Sequence, residues 1–180
     1  MKKLDFYQLP EQAGFRAKFE TNDHLQSIKT GIEKSIEYNR PLVLAFVDFQ
    51  KAFDTVEPKA VLSALQECRV DYRYTKLIYN IYKNAKVTVK LHENTKCIQI
   101  GRGVRQGDTI SPKLFITVLE YAFKKLNWEN RGLNIDGRNL TNLRFADDIV
   151  LLADNLKDIK DMLQELQNAC ADVGLQMNIS

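Results

Sequence analysis

Two stretches far apart in this chain each carry aspartate beside an apolar run. Asp48 directly follows the apolar residues 42–47. Asp147 and Asp148 directly precede the apolar residues 149–152. Carboxylates are rarely placed beside such runs unless they are paired or bind a cation. Because three carboxylates in one place repel one another, a divalent metal is the simplest way to keep all of them ionised. The pattern therefore indicates two-metal phosphoryl or nucleotidyl transfer.

A structural role is the alternative for each of these aspartates. A single aspartate after a strand is most often a turn or helix-capping residue. An adjacent pair in a very tight turn between two strands is harder to explain in that way. Neighbouring residues of a strand point to opposite faces. We therefore expect one of Asp147 and Asp148 to be a close metal ligand and the other to be more peripheral.

The composition is that of one globular domain. The chain has 180 residues, of which 44% are hydrophobic and 27% are charged, enough for a single core. The longest apolar run, residues 42–47, is too short to cross a bilayer, and no signal peptide pattern follows Lys2–Lys3. The three cysteines, Cys68, Cys97 and Cys170, lack metal-ligand spacing. They predict reduced thiols in an intracellular protein without a membrane anchor.

The charge is unevenly distributed along the chain. Residues 81–105 contain six basic residues and one acidic residue, whereas residues 141–180 contain three basic and seven acidic residues. A basic hairpin is most often only solvated surface. Beside a carboxylate cluster, however, it is expected to contact nucleic-acid phosphates. The candidate contacts are Lys86, Lys90, Arg102 and Arg105.

Hydrophobic spacing predicts several helices and strands in alternation. Helices are predicted near residues 25–36, 58–65, 74–82, 114–126 and 156–173. The run 42–47 predicts a central strand covered on both faces, and alternation predicts a β-hairpin near residues 86–101 around His92–Lys96. Strands separated by helices, without repeats, indicate one α+β domain whose sheet is covered by helices.

Smaller local features add five further expectations. The side chains of Thr21–Asp23 and Ser111 are expected to cap helices, and the apolar stripe on residues 74–82 is expected to lie in the core. Asp136–Gly137 predicts a tight turn. Gly174 is placed to end the last helix, and residues 176–179 are predicted to begin one more strand.

Three motifs in order resemble a known family. FVDFQKAFD, RGVRQGDTISPKLF and RFADDIVLLAD strongly resemble the reverse transcriptases of non-LTR (LINE-type) retrotransposons, and the likeness runs from about Gln12 to Ser180. Each motif alone is moderately specific, whereas all three in order are highly specific. The resemblance implies a polymerase palm-type split β-α-β sheet covered by helices, with a partial helical fingers region. It assigns about residues 1–40 to the fingers and 41–180 mainly to the palm, with the thumb expected to be absent.

The first motif implies four functional positions. Asp48 is implied as a ligand of both metal ions. The backbone from Phe49 to Ala52 is expected to approach the incoming triphosphate. Phe53 matches the aromatic steric gate, whose ring leaves no room for a 2′-hydroxyl, although an aromatic core residue is the alternative. Asp54 is expected to be structural.

The second and third motifs complete the implied site. Gln106 and Gly107 are expected to line the nucleotide and template pocket, because glycine lets the backbone come close. Asp147 is implied as the principal partner of Asp48, with Asp148 as its neighbour. Ala146 is expected to leave space near the primer end.

The segments at either end carry weaker likenesses. QAGFRAKFETND resembles a fingers segment in which a basic residue contacts the triphosphate, and Arg16 matches best, with Lys18 as a second candidate. The neighbourhood of Lys18 departs from the commoner glycine- and serine-containing version. GLQMNIS resembles the segment before a lysine that acts as general acid, and the sequence stops at Ser180, before any such lysine.

The implied activity is RNA-directed DNA polymerisation with two Mg²⁺ ions, for which Mn²⁺ is a substitute. Its partners are an RNA template, a DNA primer and deoxynucleoside triphosphates, and the family implies action in the nucleus. Two other functions stay open. One is a truncated, catalytically inactive fragment that binds nucleic acid. The other is a palm-type nucleotidyl cyclase, which has no use for the RQGD motif or the basic hairpin. The residues indicate neither the oligomeric state nor the template specificity.

Overall fold

The structure is a computed structural model that describes residues 2–16, 19–89, 97–105, 107–135 and 137–178. The helices are α1 (Lys2–Tyr7), α2 (Thr21–Glu37), α3 (Ala52–Thr55), α4 (Pro58–Glu67), α5 (Tyr72–Lys83), α6 (Ser111–Phe123) and α7 (Leu156–Ala171). The strands are β1 (Val43–Val47), β2 (Lys86–Val87), β3 (Ile98–Gln99), β4 (Leu133–Ile135), β5 (Arg138–Leu140), β6 (Asn142–Phe145) and β7 (Asp148–Ala153). The mixed helices and small antiparallel sheets confirm the predicted α+β class.

The main sheet has three antiparallel strands in the order β1, β7, β6. Alternate residues of β7, namely Ile149, Leu151 and Ala153, belong to the hydrophobic core together with Val47 of β1. The core also contains side chains of α4, α6 and α7. Because side chains alternate along a strand, the residues between these positions lie on the other face of the sheet. We call this second face the outer face.

The hairpin that joins β6 to β7 is as tight as the sequence predicts. Phe145 pairs with Asp148, which leaves only Ala146 and Asp147 in the turn. Ala146 has a φ of 58°, in the left-handed region that L-residues other than glycine adopt at a cost of about 1–2 kcal/mol. A turn of this kind matches the right-handed twist of the flanking strands.

The ends of the helices explain several of the boundaries. Pro58 occupies the first turn of α4, where its missing N–H removes no helical hydrogen bond. The Asn155 side chain caps α7 by accepting a hydrogen bond from the Asp158 N–H at 2.8 Å. Gly174, with a φ of 89°, ends α7, and the following Leu175 N–H donates to the Cys170 carbonyl. The predicted stop at Gly174 is confirmed.

Two predictions about burial are wrong. The strand β1 lies at the edge of the described sheet rather than at its centre, and Phe46 is 75% exposed. The apolar stripe on α5 is also largely outside the core, because Tyr74, Leu77 and Ile81 are exposed while Ile78 is buried. Hydrophobic spacing identified both elements correctly. The spacing did not show that β1 pairs with a strand along one edge only, or that α5 is packed against the core along one face only.

One predicted cap is wrong and the other is confirmed in part. The helix α6 begins at Ser111 itself and its N-cap is Ile110, so Ser111 is a buried residue of the first turn. The N-cap of α2 is Glu20, whose N–H donates to the carboxylate of Asp23 at 2.9 Å. Asp23 therefore stabilises the helix from inside its first turn. A polar residue near a helix start predicts that a cap exists more reliably than its position.

The remaining predictions are confirmed in part. The strands β2 and β3 pair Lys86 with Gln99 as a hairpin, although His92–Lys96 lie outside the described residues. Met177 forms a single antiparallel bridge with Phe49 where a new strand was predicted. Asp136 is not among the described residues, while the neighbouring Gly137 has the positive φ that a tight turn requires. None of the described helices is both long and apolar enough to span a bilayer.

Candidate metal and nucleotide site

The outer face of the sheet brings two of the predicted aspartates together. The last pair of β1 and β7 is Val47 with Ile149, so that Asp48 lies opposite Asp148. Both positions alternate with core residues and therefore point away from the core. They stand at the end of the sheet where β7 begins, beside a cavity of about 300 Å³ whose lining includes both aspartates and residues of α2.

The three predicted carboxylates share one electrostatic environment. Burial raises the pKa of Asp148, and the negative charges of Asp147 and Asp48 raise it further. The register of β1 and β7, continued by one position beyond Val47 and Ile149, sets Asp48 opposite Asp148, while Asp147 stands in the turn. Which of the two adjacent aspartates binds more closely to a shared ion stays a prediction.

The donor chemistry of this cluster fits a hard divalent cation. All three side chains offer carboxylate oxygens, which magnesium prefers. The negative charges of Asp147 and Asp48 that raise the pKa of Asp148 are charges that a cation would offset. Among the described residues, no three or more His, Cys, Asp or Glu side chains are already drawn into a metal-binding arrangement. The three carboxylates are therefore close enough to influence one another electrostatically, but they do not form a closed ligand set.

The carboxylate of Asp48 is held at both of its oxygens. One oxygen accepts a hydrogen bond from the Phe49 N–H at 2.9 Å. The other accepts from the side-chain amide of Asn178 at 2.6 Å, and the Asn178 N–H donates to the Asp48 carbonyl. No local sequence signal marks Asn178 for this role, because the contact joins residues 130 positions apart.

Phe53 stands where the predicted site segments meet. Its ring is half-buried and stacks on Phe115, with the ring centroids 4.6 Å apart, and Phe15 contacts it edge-on at 6.5 Å. Its carbonyl accepts a hydrogen bond from the Val104 N–H at 2.7 Å. Phe53 therefore links the segment that carries Arg16 to the loop of the second motif. It is packed against the core and still partly exposed.

The other predicted nucleotide contacts lie in different environments, some in the core and some near the surface. Phe49 and Ala52 are buried, and the Gln50 N–H between them already donates to the Gln176 carbonyl. Arg16 turns back on its own segment, with its guanidinium 4.5 Å from the centroid of the Phe19 ring and a bond to the Leu9 carbonyl. Lys18 lies outside the described residues.

The loop of the second motif docks against the first through a glycine. Gly103 has a φ of 87°, and a Cβ built there would lie 2.7 Å from the Asp54 carbonyl oxygen. Its N–H donates to the Val56 carbonyl. Gly107 also has a positive φ, of 84°, but no atom of another described residue, apart from its chain neighbours, lies within 4 Å of its added Cβ. Gln106 is not among the described residues.

The predicted nucleic-acid contacts are on the surface. Lys86, Arg102 and Arg105 are exposed, whereas Lys90 is outside the described residues. Arg105 also borders a cavity of about 580 Å³ lined mainly by apolar side chains, to which α5 contributes the largest share. That cavity is larger than the one beside Asp48, but none of the three aspartates lines it. The larger volume of that cavity therefore does not indicate that the predicted metal chemistry takes place there.

Sequence similarity shows to which protein family the chain belongs. A sequence profile described as reverse transcriptase (RNA-dependent DNA polymerase) matches residues 6–180. The chain belongs to the reverse transcriptase family. Within that family it resembles non-LTR retrotransposon proteins. It is 34% identical over 137 residues to a Pol polyprotein of the R2 retrotransposable element of Nasonia vitripennis, and 26% identical over 171 residues to that of R2DM of Drosophila melanogaster.

These reverse transcriptase relatives are much longer than the chain. The two alignments cover 76% and 94% of this chain but 13% and 16% of the relatives. Among solved structures, apo telomerase from Candida tropicalis truncated from its C-terminal domain matches with a TM-score of 0.71 and 17% identity. That match covers 98% of this chain and 37% of the telomerase chain. It shows a shared fold.

Proposed function

We propose that this reverse transcriptase domain extends a DNA primer on an RNA template by nucleotidyl transfer from deoxynucleoside triphosphates. The observation that carries the proposal is the position of Asp48 opposite Asp148 on the outer face, in a chain of this family. In this proposal the β1–β7–β6 sheet is the centre of a palm spanning about residues 41–180. About residues 1–40 are a fingers-like segment.

The three aspartates are the proposed metal ligands. Asp48, Asp147 and Asp148 would hold two Mg²⁺ ions, and the ions would supply a lowered pKa of the primer hydroxyl and neutralisation of the triphosphate charge. The Phe49 N–H and Asn178 keep the Asp48 carboxylate in one orientation. Mn²⁺ is expected to replace Mg²⁺ because both ions accept carboxylate oxygen ligands.

Residues around the carboxylates are proposed to orient the substrates. The half-buried ring of Phe53 would lie against the sugar and exclude a 2′-hydroxyl. Arg16 would leave its contact with Phe19 and bind the triphosphate. A charge-assisted hydrogen bond between guanidinium and phosphate is stronger than a cation–π contact with an exposed ring. The remaining proposed contacts are Phe49, Ala52, Gln106 and Gly107 for the nucleotide, and Lys86, Lys90, Arg102 and Arg105 for template and primer phosphates.

Primer extension tests the proposal directly. The assay uses an RNA template, a labelled DNA primer, deoxynucleoside triphosphates and Mg²⁺, with this chain and with a longer form that contains it. We expect Asp48→Asn to reduce extension by at least about 100-fold, because preorganised electrostatic contacts contribute that much to such reactions. Asp161→Asn, a half-buried aspartate of α7, is the matched control and should keep activity.

Two outcomes of this assay contradict the proposal. Extension that survives both Asp48→Asn and Asp147→Asn removes the metal-ligand assignment. Binding of primer–template without extension, in the longer form as well, favours the alternative of a nucleic-acid-binding fragment. Lowered binding after charge removal at Arg102 and Arg105, with a reduced salt dependence, would support the proposed phosphate contacts in either case.

A further inference from the structure

Gln12 makes a set of contacts that no packing role requires. Its side chain is fully buried, and it reaches the turn between β6 and β7. The amide Nε2 donates to the Ala146 carbonyl at 3.1 Å, and the Ala146 N–H donates to Oε1 at 2.9 Å. One side chain thus satisfies both backbone groups of one residue, as a neighbouring strand would. That residue directly precedes Asp147.

The segment around Gln12 is fixed against β6 by its own backbone. The Arg144 N–H donates to the Glu11 carbonyl, and the Ala13 N–H donates to the Arg144 carbonyl, each at 2.8 Å. These bonds form a parallel bridge between Gln12 and Arg144. The segment is therefore attached by its backbone to the edge strand of the main sheet.

Gly14 allows this segment to reach the turn. A Cβ built at Gly14 would lie 2.1 Å from the Ala146 nitrogen, closer than any real side chain can approach. The Gly14 N–H also donates to the same Oε1 of Gln12 at 2.8 Å. Glycine and glutamine together thus hold Ala146 in its left-handed conformation, which is costly without such support.

We propose that Gln12 is a positioning residue for Asp147 and Asp148, fixing the turn so that the carboxylates are preorganised for a divalent cation. This inference rests on the proposed function. Metal ligands need orientation within about 0.5 Å, which buried neighbours of the ligands normally supply. A two-residue turn in a strained conformation cannot supply it alone. Gln12 does so through the backbone, without touching the cation.

The segment that carries Gln12 also connects two parts of the proposed site. Phe15 and Arg16 follow Gln12 on the same segment, and Phe15 contacts the ring of Phe53. The proposed triphosphate contact and the proposed metal-binding turn are therefore held by one short stretch of chain. Displacing that stretch would move both.

Gln8 offers a matched control for an experiment on Gln12. Gln8 is also a buried glutamine of the same segment, and its Nε2 donates to the carbonyls of Gln12 and Gly14. It does not contact the turn in any hydrogen bond of the described residues. Gln12→Met and Gln8→Met both remove buried hydrogen bonds with little change of volume, so that both destabilise the segment. Only Gln12→Met releases Ala146.

The experiment measures Mn²⁺ binding by electron paramagnetic resonance titration, together with hydrogen exchange of residues 142–150. We expect Gln12→Met to weaken Mn²⁺ binding about 10-fold or more and to speed exchange in the turn, while Gln8→Met changes Mn²⁺ affinity less than about twofold. If Gln12→Met does not fold, Gln12→Glu takes its place. It keeps the acceptor for the Ala146 N–H, but it replaces the donor to the Ala146 carbonyl by a carboxylate oxygen that repels that carbonyl, and it should weaken Mn²⁺ binding in the same direction.

The outcomes separate this inference from the proposed function. Equal Mn²⁺ affinity in the wild type, the Gln12 variant and the Gln8 variant overturns the positioning role and leaves the metal site intact. Equal weakening in both glutamine variants also overturns it, because the effect is then one of segment stability. If the wild type binds no Mn²⁺ and Asp48→Asn changes nothing, the proposed function itself fails, and the positioning role with it.

Discussion

The guanidinium of Arg144 and the carboxylate of Glu120 form an ion pair with Nη1 and Oε1 3.0 Å apart, and neither side chain is exposed to solvent. Burial raises the pKa of Glu120 and lowers the pKa of Arg144, and each charge opposes the shift of the other. Arg144 belongs to β6, two residues before the turn, and also lies over the ring of Phe123. The pair therefore joins α6 to the strand that leads to Asp147.

Removing one partner of this pair should be strongly destabilising. We expect Glu120→Ala to lower the free energy of unfolding by about 3 kcal/mol, because it leaves the Arg144 charge buried with only the more distant Glu11 carboxylate, 4.0 Å away, to compensate it. The double variant Glu120→Leu with Arg144→Met should lose much less. Urea unfolding measures both values. Glu33→Ala, which breaks the exposed Lys29–Glu33 pair, is the control and should cost about 0.5 kcal/mol or less.

The carboxylate cluster should make the metal-free protein less stable than it could be. We expect Asp148→Asn to raise the free energy of unfolding in EDTA by up to about 1 kcal/mol, because it removes repulsion from Asp147 and Asp48 in a partly solvated site. In millimolar Mg²⁺ the wild type should gain more stability than the variant, because only the native state binds the ion. Thermal unfolding with and without Mg²⁺ measures both effects.

The control for that comparison is Asp161→Asn, which changes the net charge equally but lies on α7. It should shift neither the EDTA value nor the response to Mg²⁺. A variant at Asp148 that is less stable than the wild type in EDTA would contradict the shared repulsion.

Turns and helix ends were predicted well from the sequence, because the residues that cause them act locally on the backbone. The tight turn around Asp147, the proline at the start of α4 and the stop at Gly174 each depend on the backbone preferences of one or two residues. The aspartates were recognised in the same way, since carboxylates beside apolar runs are unusual. The position of Asp48 opposite Asp148 then follows from the strand register.

Partners far apart in the chain could not be predicted from local signals. Gln12 contacts Ala146 across 134 positions, and Asn178 contacts Asp48 across 130. Polar residues such as these have no periodicity that marks them as buried. The prediction that β1 is a central strand was wrong for the same reason. A short apolar run does not reveal how many strands pair with it.

The close approach at Gly103 gives a prediction with an internal control. Gly103 and Gly137 have similar φ values of 87° and 81°, but only Gly103 has backbone atoms within 3 Å of an added Cβ. Gly137→Ala should therefore cost only the conformational penalty of about 1–2 kcal/mol. Gly103→Ala should cost about 1–3 kcal/mol more, because the loop must move away from Asp54. Chemical denaturation of the two variants gives the difference, and equal costs would show that this contact yields without strain.

The ring of Phe53 allows its proposed role in sugar selection to be separated from its role in packing. We expect Phe53→Val to raise incorporation of ribonucleotides relative to deoxynucleotides by about 10-fold or more, the scale on which a filled apolar pocket discriminates. It should also destabilise the protein, because the ring stacks on Phe115 at 4.6 Å. Phe115→Leu disturbs the same stack from the buried side and should lower stability while the sugar preference stays unchanged. Single-nucleotide primer extension with each triphosphate measures the preference, and an equal loss of selectivity in both variants would assign Phe53 to the core alone.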